Sequence, residues 1–102
     1  MIVDDLKREL ADALHAEEKA TDWLRSAEYA LATFEEEVEG LKGEERNADW
    51  EERVTDKLDR LRAEVEELER AAQRARRRRQ DIEEELEAVD RIAVHRVYTG
   101  RW

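Results

Sequence analysis

Five arginines fall within six positions, Arg74 and Arg76 through Arg79, and a run this cationic has the chemistry to hold nucleic-acid phosphates. On a helix these residues wrap around the axis instead of lining one face, and no aromatic residue is interleaved to stack on bases. Asp81 and Glu83 follow within a turn, and Asp12, Glu17, Glu18 and Asp22 stand opposite if the chain folds back on itself. Charge matching inside the molecule is the expected role of the stretch. His15 with Asp12 and Glu18 has helical spacing and could be drawn as a metal site. Paired-helix metal centres need inward-facing ligands, and His15 falls at the outermost heptad position. A solvated histidine is expected, and no metal ligand is assigned.

Little else could do covalent chemistry. Ser26 is the only serine, cysteine is absent, and no glycine-rich phosphate loop occurs. A serine–histidine arrangement would also need a pocket, which paired helices do not supply by themselves. No catalytic residue and no cofactor are assigned, and the protein is expected not to be an enzyme.

The balance of charge bears on partners. Asp and Glu number 29 against 19 Lys and Arg, for a formal charge of −10. Bulk attraction to a polyanion is thereby disfavoured. No apolar run approaches a membrane span. The sequence Met1-Ile2-Val3-Asp4-Asp5 lacks the basic and apolar segments of a signal peptide, so a soluble cytoplasmic protein is expected.

Two heptad runs must position these groups. Charged residues make up 47% of the chain and proline is absent, a composition that fits either long helices or disorder, so periodicity has to decide. Steps of three and four from Val3 give Val3, Leu6, Leu10, Ala13, Glu17 and Ala20, then Leu24, Ala27, Leu31, Phe34, Val38 and Leu41. Only Glu17 is polar. A second run gives Val54, Leu58, Leu61, Val65, Leu68 and Ala72, then Ala75, Arg79, Ile82, Leu86, Val89 and Ala93, with Arg79 its one polar member. Such sustained alternation is a coiled-coil seam.

The runs are out of phase, which requires a break between them. Gly43 after Lys42 suits a helix C-cap, and Asp49 with Glu52 resembles a capping box that puts Trp50 at the first helical position. The expected domain spans residues 1–102, with helix 1 at about 2–42, a turn at 43–49, helix 2 at about 50–93 and a tail at 94–102. The fold class is all-α, an antiparallel helical hairpin.

Facing residue numbers should add to about 92, which pairs Ala27 with Val65, Ala20 with Ala72 and Leu10 with Ile82. The same alignment brings Glu17 within reach of Arg79 across the seam. A buried ion pair adds little net stability and is best known for fixing register. On the flank, Glu37 approaches Lys57, while Glu9 and Glu85 meet as like charges.

Each arm, at 1.5 Å per residue, is about 60 Å long, and one hairpin makes a thin core. The apolar set is wider than a two-helix seam: Ile2, Ala16, Trp23, Ala30, Ala71 and Ile92 occupy one flank. A homodimer forming a four-helix bundle is therefore expected, with these six as its contact face. The tail is cationic and free of acids, and Val94, Val97, Tyr98, Arg101 and Trp102 have no place in a single hairpin. Two readings fit it, a partner-docking element or a terminus that packs on the second subunit or frays. Its Val, Ile and Tyr content leans weakly toward extended backbone. The leading function is a protein–protein interaction module. Nucleic-acid association through Arg74–Arg79 and the tail, and an inhibitor or partner subunit docking by the tail, are the alternatives.

Overall fold

The computed structural model describes residues 2–41 and 47–99, excepting the side chains of 93–99. It holds two helices, α1 (Ile2–Gly40) and α2 (Ala48–Thr99), and no strand among the described residues, as in a helical hairpin. Asp4 and Asp5 occupy the first turn of α1, where carboxylates favour the positive end of the helix dipole. At its other end the Leu41 amide donates to the Val38 carbonyl at 3.2 Å, a tightened last turn. The expected cap residues Lys42 and Gly43 lie outside the described residues.

The start of α2 differs from the expected one. Asn47, not Asp49, is the N-cap, and its side-chain Oδ1 accepts from the Trp50 amide at 2.8 Å. The Glu51 amide then donates to the Asn47 carbonyl at 3.0 Å, the first full helical bond. Asp49 and Glu51 fall inside the first turn and complement the dipole there. The other end differs too: the helix runs on to Thr99, with no break at 93. Residues 94–99 contain no proline or glycine to stop it, and weak strand preference does not end an established helix.

The chain packs as two compact units. Unit 2 is the continuous stretch Ala20–Ala72, so it joins the second half of α1 to the first half of α2. Its buried residues are Ala20, Ala27, Val65 and Ala72, all on the heptad seam. The Lys57 ammonium lies 4.4 Å from the Phe34 ring centre, a cation–π contact between the two helices. Unit 1 is built from the chain's ends, Met1–Lys19 with Gln73–Trp102. There Leu6, Ala13 and Ile82 are buried, Ala13 completely.

Every seam position whose side chain is described is buried or half-buried, apart from Leu41 at 46% exposure. No buried polar side-chain atom lacks a partner among the described residues. Among the described residues, four of the seven that are buried are alanines, and no large side chain is fully enclosed. Alanine brings backbones close but removes little apolar area from water, so each unit rests on a narrow core.

Candidate interaction surface

Glu17 and Arg79, the polar exceptions of the two heptad runs, are brought together in unit 1. Arg79 Nε donates to Glu17 Oε2, and its second arm donates from Nη1 to Glu83 Oε1 at 2.7 Å. The side chains of Glu17 and Arg79 are only 20% and 21% exposed, so both charges are partly withdrawn from water. The Glu17 bond, followed by the Glu83 bond, raises the guanidinium pKa above its already high ordinary value. Held between two carboxylates, Arg79 is not available to an outside phosphate. Glu83, one of the two acids that follow the stretch, stands one helical turn from Arg79, the ordinary spacing for an ion pair on a helix.

The rest of the arginine stretch departs from the expected charge matching. Arg76 comes within 3.7 Å of Glu17 but stays 62% exposed, which makes the contact weak. Arg74, Arg77 and Arg78 are exposed and form no ion pair with a described residue. Asp12, Glu18 and Asp22 likewise engage none of the arginines. Among the described residues, Glu17 is the α1 carboxylate that pairs with the stretch. A register places backbones opposite one another, but side chains on outward positions remain a helix diameter apart.

The flank expected to bury a second subunit is largely open. Ile2, Trp23 and Ile92 are 72%, 61% and 56% exposed, and Ala30 is exposed beside them in sequence spacing. Ala16 and Ala71 are half-buried. In unit 2, Trp23, Ala27 and Ala30 with Ser26 form one wall of a shallow groove of about 340 Å³, and Glu64 and Leu68 of α2 form the other. Large apolar side chains this exposed commonly mark contact surfaces. Tyr29, 75% exposed, was not singled out by the sequence, because it stands on the outer heptad position away from the flank.

Of the proposed tail, Val94, Val97 and Tyr98 lie on α2, but their side chains are outside the described residues, as are Arg101 and Trp102. His15 is exposed, and no three acidic or histidine side chains among the described residues are grouped to hold a metal ion. Among the described residues, no helix is long and apolar enough to cross a membrane. No model of a known protein family, no curated protein and no solved structure matches this chain.

Proposed function

We propose that the chain is a non-enzymatic protein–protein interaction module, an adaptor, scaffold or small assembly chaperone of the cytoplasm, and that it works as a homodimer closing into a four-helix bundle. The observation that carries this reading is the exposure of Ile2, Trp23 and Ile92 on one heptad flank. A helix flank that sheds water only when covered stores association free energy, about 25 cal/mol for each Å² of apolar surface removed. The core supports the same reading, since the buried side chains among the described residues are small or medium and leave a single hairpin narrowly stabilised. Light scattering at micromolar concentration should return the mass of two chains, and Trp23→Asp should return that of one. A single-chain mass for the unaltered protein would overturn the dimer.

A second reading rests on Arg74, Arg77 and Arg78, which are exposed and form no ion pair with a described residue. It assigns the chain to nucleic-acid association through phosphate contacts. Gel retardation of duplex and single-stranded nucleic acid at about 50 mM salt decides it, because three phosphate contacts should give binding that falls steeply with added salt. No retardation disposes of this reading.

A further inference from the structure

The stripe of α2 that flanks the seam on the Trp23 side reads, one residue per heptad, Trp50, Lys57, Glu64, Ala71, Arg78, Glu85 and Ile92. In chemical character this is aromatic, cation, anion, small, cation, anion, aliphatic. Reversed about Ala71, the series is its own complement: Trp50 meets Ile92, Lys57 meets Glu85, Glu64 meets Arg78, and Ala71 meets itself. We infer that the occupant of this face is a second copy of the chain, laid α2 against α2 in opposite directions, with the two-fold axis at Ala71. The inference rests on the homodimer reading above and gives that dimer its geometry.

A two-fold interface demands this reciprocity, because whatever residue i does to residue j, j must do to i. Within one chain the two members of each charged pair are too far apart to meet. Glu64 and Arg78 are two heptads apart on the same helix, and Lys57 and Glu85 are four. Lys57, Glu64, Arg78 and Glu85 are all exposed, and Glu64, Arg78 and Glu85 form no ion pair with a described residue. The Lys57 ammonium over the Phe34 ring uses the ring face and keeps N–H donors for a carboxylate.

The corresponding stripe of α1 fits the same operation. Reversal about Trp23 lays one indole on the other and Ala16 on Ala30, and stacked or edge-on aromatic pairs contribute beyond their area alone. Glu9 then meets Glu37 as a like charge, with Lys57 of the second copy at the same heptad level. That lysine also answers Glu85, which the hairpin register leaves facing Glu9. A dimer with the two hairpins pointing the same way would instead gather Glu9 and Glu85 of both copies, four carboxylates, at one level. Complementary charge selects between geometries more than it adds affinity. Here it selects the reversed one.

The chain has no cysteine, so single-cysteine variants report contacts cleanly. Under mild oxidation Ala71→Cys should link two copies, and a mixture of Glu64→Cys and Arg78→Cys chains should link as the mixed pair. Charge exchange gives an independent reading: Glu64→Arg or Arg78→Glu alone should weaken dimerisation by about tenfold or more, and the double variant should recover it. Circular dichroism showing unaltered helicity separates these effects from misfolding. A dimer by light scattering in which Ala71→Cys stays unlinked and the double exchange fails to recover overturns this geometry and leaves the dimer standing. A mixture of Trp23→Cys and Ala71→Cys chains that links instead would mean the same-direction bundle. A monomer by light scattering overturns both the geometry and the dimer reading beneath it.

Discussion

Replacing Ile82 by alanine tests whether the heptad seam is what holds unit 1 together. Ile82 is 7% exposed, so nearly all of its side chain is out of water. The substitution removes three carbon groups, and at about 0.8 kcal/mol for each the lost transfer free energy is about 2.2 kcal/mol after allowing for the exposed fraction. Alanine's better helix propensity returns about 0.4 kcal/mol. The cavity contribution should be small, because the next seam residues, Leu86 and Val89, are half-buried and the gap can be entered by water or closed by a shift. The expected net loss is therefore about 2 kcal/mol, at the low end for deletions of this size. For a chain of this length, urea unfolding followed by circular dichroism should show the midpoint fall by about 1.5–2 M with the slope unchanged. Tyr29→Ala, at a position 75% exposed, is the control and should move the midpoint little. Both proteins are compared at one concentration, so that self-association weighs equally on each. A loss below about 0.5 kcal/mol, or one no larger than the control's, would refute the seam as the source of stability.

Three more outcomes are expected. Asn47→Ala should cost about 1 kcal/mol by urea unfolding, since the Trp50 amide loses its acceptor, while Asn47→Asp should be nearly neutral. Ala13→Leu should cost about 1–3 kcal/mol in thermal or urea melts, because a fully buried alanine leaves no room for three more carbons, whereas exposed Ala11→Leu should change little. Arg79→Gln should lower the melting temperature by an amount that stays constant between about pH 7 and pH 10. The folded-state pKa of Arg79 is raised by Glu17 and then Glu83, so its contribution is complete below the unfolded-state value and is lost only as pH rises through the folded one, both beyond that window. A difference that shrinks across the window would contradict this assignment.

The seam was legible in the sequence because its rule is local: apolar residues at steps of three and four must share a face, whatever the rest of the chain does. Glu17 and Arg79 were legible as the two violations of that rule. Helix ends were less so. Asn47 and Asp49 are both good caps, and the choice between them depends on which backbone conformation lets a side chain reach the third amide, a detail composition does not carry. The persistence of α2 through Thr99 is hard to read from sequence because β-branched residues bias a conformation only slightly. The arginine stretch shows a different limit. Alignment places Asp12, Glu18 and Asp22 opposite it, yet outward-pointing side chains rarely hold an ion pair against water and rotamer freedom. The contact of Lys57 with Phe34 was open to inference from the register, but a nearby Glu37 was the more obvious partner.

The division into one unbroken unit and one assembled from both ends gives the two units different costs of chain closure, and unit 2 is expected to form first. Joining Phe34 to Lys57 closes a short loop, whereas joining Glu17 to Arg79 across 62 residues costs about 0.9 kcal/mol more in chain entropy if nothing between them is yet ordered. Once Ala20–Ala72 has formed, that excess disappears, because the intervening chain is already fixed. In native-state hydrogen exchange, amides of Met1–Lys19 and Gln73–Trp102 should open together and more often than those of the continuous unit. Exchange that is equal in the two units, or slower in the one built from both ends, would refute this order.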